Sequence, residues 1–202
     1  MVDPITILAF VPAALALNLT PGADMMFCLG QGVRFGPRAS VAASAGISLG
    51  GMIHVTLAGL GLGAVVSALP WAFDVIRWIG VAYLLWLAVQ TWRSNATAQA
   101  VKIAPKSAFR SGLIVNLTNP KVILFVLAFV PQFVVPEAGP VLFQFLVFGF
   151  VLSLGGFIIN ALVGIFASGL GRRLTHGGRA LRLISSGIFV ALAARLAVLE
   201  RT

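Results

Sequence analysis

Two polar clusters interrupt an otherwise apolar chain, and they hold the residues able to do chemistry. The first is Asn18-Leu19-Thr20-Pro21-Gly22-Ala23-Asp24; the second is Asn116-Leu117-Thr118-Asn119-Pro120-Lys121. Proline has no N–H, and its ring pushes away the carbonyl four residues back. Pro21 therefore frees the carbonyl of Leu17, and Pro120 frees that of Asn116. Hydrocarbon does not tolerate bare carbonyls, so such breaks survive only where protein or water satisfies them. The N–H groups after a break favour an anion such as an amino-acid carboxylate, and the freed carbonyls favour an ammonium. A zwitterion has both. Asn18, Thr20, Asn116, Thr118 and Asn119 add neutral donors and acceptors, part of whose work is capping the half-helices.

Asp24 lies just past the Pro21–Gly22 break, at membrane depth. An ionisable group there is by default a functional hypothesis: it can carry a coupling proton or bind an ammonium. The bland alternative is a solvated carboxylate near the cytoplasmic end, since Arg34 is close by. Lys121 follows Pro120 directly. It can pair with Asp24, bind a substrate carboxylate, or snorkel to the interface. His54 and Asn160 occupy near-matching places in spans two and five; His54 either faces a cavity or packs helix against helix. Tyr83 could offer a hydroxyl, with an interfacial role the preferred reading. Cys28 is the single cysteine, which excludes an internal disulfide and a Cys-based metal site.

The elements that must position these groups are membrane helices. The chain has 202 residues, 59% hydrophobic and 9% charged, with a mean hydropathy of +1.04. Soluble domains carry roughly 25% charged residues, so lipid is the natural solvent. The net charge of +9 sits in short loops and not on a basic stripe, which argues against nucleic acid. Asp3 without Lys or Arg in the first residues is wrong for a cleaved signal peptide, so the first span is expected to stay.

The expected class is an all-α membrane protein with six spans. Span one breaks at Pro21. Span two and a turn near Ser67 to Pro70 follow, then span three from Trp71 to Trp92. In span three Asp74 and Arg77 could pair, and Trp71, Trp78 and Trp92 suit the interface. Span four, Ser111 to Phe133, breaks at Pro120. Span five runs from Val141 to Gly169, and span six ends near Leu199. The basic loops between spans one and two, three and four, and five and six belong in the cytoplasm, which puts both termini outside. Arg195 and Arg201 count weakly against this.

A second recurrence accompanies the Asn-Leu-Thr pair. Ser48-Leu49-Gly50-Gly51 returns as Ser153-Leu154-Gly155-Gly156; Ile53, Gly59 and, more weakly, Gly80 match Ile158, Gly164 and Gly187. The order is kept. A duplicated three-span unit must enter the membrane from the opposite side, giving an inverted repeat whose site lies at the midplane. The expectation is one domain over residues 1–202, with repeats at about 1–95 and 107–202 and a basic linker at 93–110. The glycines read first as helix-packing positions.

These residues, with Gly46 to Gly51, Tyr83-Leu84-Leu85-Trp86-Leu87 and Phe129-Val130-Pro131-Gln132-Phe133, resemble the LysE/RhtB family of bacterial amino-acid exporters (homoserine, threonine and lysine efflux type). The likeness covers nearly the whole chain and departs at Ala23, where many members carry a second proline. It implies export of neutral or basic amino acids across the bacterial cytoplasmic membrane in exchange for protons. On this reading the chain is not an enzyme and needs no cofactor or metal. Its partners are the amino acid, the proton and the bilayer, with a homodimer left open. The competing class is an exporter of small ions or metal cations, disfavoured because such cations want carboxylate or thiolate ligands and the chain has five acidic residues.

Overall fold

The computed structural model describes residues 2–68, 72–93 and 107–170, together with positions 183, 186, 187, 190, 191, 193 and 194. Among them all regular structure is helical. Helix α1 (Pro4–Leu19) starts at Asp3, whose carboxylate accepts the Ile5 N–H at 3.1 Å, with Pro4 in the first helical position. It stops at Thr20, where both the N–H and the hydroxyl turn back to the Ala16 carbonyl, at 3.1 and 2.6 Å. The chain bends by 56° and continues as α2 (Ala23–Phe35). Gly36, at φ 86°, makes the reversal, and Pro37 opens α3 (Pro37–Ala68). Helix α4 covers Ala72–Arg93.

The second break repeats the first. Helix α5 (Ala108–Leu117) stops at Thr118, whose N–H and hydroxyl both reach the Ile114 carbonyl, at 3.0 and 2.9 Å. Helix α6 (Pro120–Ala128) follows, with the two axes bent by 54°. Asn119 caps α6 by accepting the Lys121 N–H at 3.1 Å. Two 3-10 turns, Val130–Phe133 and Pro136–Ala138, lead through Gly139 (φ 138°) into α7 (Val141–Leu170). Gln144 braces this connection with three bonds to the Val135 N–H and the Val135 and Gly139 carbonyls.

Helices α3 and α7 lie against each other at the centre; α5 packs on α3, α2 on both, α1 on α7, and α4 on α6. On the α2 and α5 side of the breaks, backbones touch. A Cβ on Gly32 would run into the Gly164 carbonyl, one on Gly46 into Phe109, and one on Gly112 into Ala43. That is the close approach that small residues permit in a membrane. On the opposite side the seal is aromatic. Phe10 packs against Phe148 and Phe133 at centroid distances of 5.0 and 5.2 Å, and Phe125 against Phe129 at 4.9 Å. The outer surface is apolar, with Leu8, Leu57 and Phe150 mostly exposed, as side chains facing lipid should be.

Two unbroken helices, Pro37–Gly61 and Val141–Gly169, are long and apolar enough to cross a membrane, and the two bent pairs bring the candidates to four. This is a multi-pass membrane protein. Helix α4 occupies the range expected for span three, and Trp78 and Trp92 on it are exposed. Trp71, the side chains of Asp74 and Arg77, the greater part of the linker and of span six, and Arg195 and Arg201 lie outside the described residues.

Replacing Gly46 by Ala should force α3 and α5 apart and destabilise the protein by on the order of 1–3 kcal/mol. Gly30→Ala, where a Cβ meets nothing within 4 Å, should be neutral or slightly stabilising. Thermal unfolding of the two variants in detergent checks the difference.

Candidate functional site

At the two breaks, the carbonyls of Leu17 and Asn116 are each claimed by a side chain from the other half of the chain. Lys121 Nζ donates to the Leu17 carbonyl at 2.7 Å and to the Thr20 carbonyl at 2.8 Å. His54 Nε2 lies 3.1 Å from the Asn116 carbonyl, which also accepts the Asn119 N–H at 2.9 Å. A carbonyl only accepts, so the imidazole carries its proton on Nε2.

The asparagines that open the two motifs are held crosswise as well. Asn116 rests on α3, where a Cβ on Gly50 would come within 2.6 Å of its Oδ1. Asn18 rests on α7, in the space left by Gly155 and Gly156, and its Nδ2 donates to the Leu152 carbonyl at 3.0 Å. Between them Ser48 donates to the Ser153 carbonyl at 2.9 Å, and Ser44 to that of Phe157 at 2.8 Å. The two Ser-Leu-Gly-Gly runs are thus the floors on which the motif asparagines sit, a more specific use than general helix packing.

The breaks flank a small, partly open cavity of about 30 Å³. Its polar lining is Asn18, Thr20, Gly22, Asp24, Asn119, Lys121 and Asn160, completed by Leu17, Met25 and Val122. It has room for about one water molecule. Asp24 enters from the first turn of α2, where the helix dipole favours a carboxylate. Its Oδ2 accepts the Asn116 amide at 2.9 Å. Its Oδ1 is buried without a hydrogen-bond partner, although the Asn119 side chain lies alongside. Asn160 Oδ1 is buried and unpartnered too. Lys121 spends its bonds on main-chain carbonyls, while the carboxylate is held by an amide. The two charges share the cavity without a direct ion pair.

Not every expected residue is brought here. Thr118 and Pro120 are exposed, and the Thr118 hydroxyl turns to its own helix. His54 lines a separate apolar crevice of about 330 Å³ between α3 and α6. Tyr83 offers its hydroxyl to the protein interior. It is buried, stacks on Trp86 at 5.6 Å, and donates to the Lys121 carbonyl at 3.0 Å. The first turn of α6 leaves that carbonyl within reach of α4, so the phenol anchors the lysine-bearing turn. Asn160 was legible only as the counterpart of His54; its place in the cavity depends on how α7 is rotated, which its apolar flanks do not fix. Among the described residues no three His, Cys, Asp or Glu side chains come together as a metal site would require.

Residues 15–200 match the family described as LysE type translocator. The chain belongs to that family. Among its relatives it is 38% identical over 148 residues to an uncharacterized membrane protein of Vibrio cholerae serotype O1, covering 70% of this chain and 71% of the relative. It is 37% identical over 145 residues to a homoserine/homoserine lactone efflux protein of Salmonella typhimurium, covering 70% of each. With a leucine efflux protein of Enterobacter sp. (strain 638) it shares 32% over 201 residues, covering 95% of this chain and 94% of the relative. No solved structure matches.

Asn116→Ala should strand Asp24 Oδ2 and lower stability by roughly 1–3 kcal/mol, the cost of an unsatisfied buried acceptor. Asn116→Asp, which sets a second carboxylate against the first, should cost more. Melting of the two variants in the same detergent orders them.

Proposed function

We propose that this protein is a secondary exporter of amino acids or their close derivatives, with the cavity between the two breaks as its substrate site. The observation that carries the reading is that polar groups from both breaks line one small shared space inside an apolar protein. The full architecture on this reading is six spans in two inverted repeats, about 1–95 and 107–202, forming one domain joined by the basic linker 93–110. The crossed seating of Asn18 and Asn116 is what a pseudo-twofold between such repeats would produce. On the same reading the basic loops face the cytoplasm and both termini lie on the outer side of the bacterial cytoplasmic membrane.

The chemistry fits a molecule with an ammonium group. Homoserine, homoserine lactone and leucine, the cargoes named for relatives, share a primary ammonium beside a carbonyl carbon, and the lactone has no carboxylate. The ammonium is therefore the group the site must read. Asp24 Oδ1 and the carbonyls that close α1 are its acceptors, Asn18 and Asn160 lie beside them, and the side-chain amide of Asn119 is the donor to a carboxylate when one is present. A cavity of about 30 Å³ is too small for an amino acid, so on this reading the site must widen to take its cargo. Substrate enters when the glycine-packed side or the phenylalanine side parts. Proton exchange through Asp24 supplies the coupling. The alternative, a cation exporter, has little support from a lining with one carboxylate and one lysine, since hard divalent cations take 6–8 oxygen ligands.

Cells preloaded with leucine- or homoserine-containing dipeptides should export the amino acid faster when they carry the protein. Asp24→Asn should reduce that rate roughly ten- to a hundredfold, the worth of one charge-assisted contact. It should also abolish the response to a collapsed proton gradient. Wild-type efflux from Asp24→Asn with the gradient response intact would remove Asp24 from the mechanism.

A further inference from the structure

The ammonium-binding end of the cavity is already occupied, and its occupant belongs to the protein. Lys121 Nζ makes two short bonds to the Leu17 and Thr20 carbonyls. The first is the acceptor that Pro21 withdraws from the helix ladder and the second is the C-cap carbonyl just before the break, both at the negative end of the α1 dipole. An alkylammonium has three donors, and two of them are used here. The stem lies over Gly22, where a Cβ would sit 3.5 Å from both Cδ and Nζ, an ordinary contact that leaves the chain unclamped. The Lys121 carbonyl is fixed by Tyr83 and its N–H by Asn119, so the backbone is held while the side chain is a long flexible lever.

We propose that Lys121 is a tethered stand-in for the substrate: its ammonium fills the cargo's ammonium site in the empty transporter and is displaced when cargo binds. This rests on the reading of the cavity as an amine-binding transport site. Two physical requirements favour it. Carbonyls freed inside lipid must be satisfied in every state, including the one with no cargo. A carboxylate buried in the same cavity also needs a cation nearby, or the empty site is costly to close. One ammonium exchanged for another meets both conditions. The empty carrier can then close and reset, and the displaced lysine is left beside Asp24 or the cargo's carboxylate. Cargo selection follows: a free primary amine is required and a carboxylate is optional. Leucine, leucinamide and homoserine lactone bind, and N-acetyl-leucine does not.

The test uses the full-length protein in detergent and in liposomes, with leucine, leucinamide and N-acetyl-leucine as probes. Lys121→Met removes the internal competitor. Because a competing occupant lowers apparent affinity by the fraction of sites left competent, both leucine and leucinamide should bind about tenfold more tightly to the variant. Exchange of leucine for leucine should persist, while net efflux, which needs the empty carrier to reset, should fall. Lys121→Arg keeps a tethered cation and should not show the tighter binding. If Lys121→Met folds poorly, Lys121→Ala is read by Tm. Ethylammonium should raise the Tm of that variant and not of the wild type, by filling the vacated site.

Weaker binding of leucine with unchanged binding of leucinamide would show that Lys121 clamps the carboxylate, and would overturn the proposal. So would equal loss of both ligands from a folded variant, or no rescue by ethylammonium. Failure of the wild-type protein to bind any of the amines would instead overturn the transport reading, independently of Lys121.

Discussion

The structure depends on a single demand: main-chain carbonyls exposed by proline inside lipid must find donors. At the two breaks the helix ladder no longer meets it, and only the Asn116 carbonyl keeps a local donor, the Asn119 N–H. The Leu17 carbonyl takes the ammonium of Lys121 at 2.7 Å, and the Asn116 carbonyl takes the imidazole of His54 at 3.1 Å. Each donor comes from the opposite half of the chain. Neither break can open without disturbing the other half, which makes the breaks a joint between halves and not two independent kinks.

Around that joint the two ends are sealed by different physics. Backbone contacts at Gly32, Gly46 and Gly112 close one side, and phenylalanines from α1, α6, the Val130–Phe133 turn and α7 close the other. Glycine contacts between helices can separate without stranding large apolar surfaces. An aromatic cluster can re-pack by rotation of its rings. Both seals are therefore compatible with opening one at a time around a fixed polar centre, as alternating access requires.

Much of this was legible in the sequence because proline chemistry is local. The identity of each freed carbonyl follows from counting four residues back, and Leu17 and Asn116 are both bonded to polar side chains of the other half. The membrane class and broken helices follow from composition and breakers alone. The partners were not legible, because they depend on which helix faces which. Lys121 is on the α1 carbonyls and not on the Asp24 carboxylate. Tyr83 points inward to the α6 turn. Gly50, Gly155 and Gly156 are seats for particular asparagines. A sequence shows that a glycine allows close approach but not what approaches. Thr118 shows the opposite limit: the motif places it beside the break, yet its hydroxyl is spent on its own helix.

The most direct measurement asks whether the two breaks meet in the native membrane. Gly22 and Val122 line the same small cavity from opposite halves. In protein carrying Cys28→Ala, the pair Gly22→Cys and Val122→Cys should be joined by a short bifunctional thiol reagent, and mass spectrometry should recover one linked peptide spanning both sites. Two thiols that react singly with a lipid-soluble maleimide and never join would place the breaks apart in the bilayer and contradict a shared site.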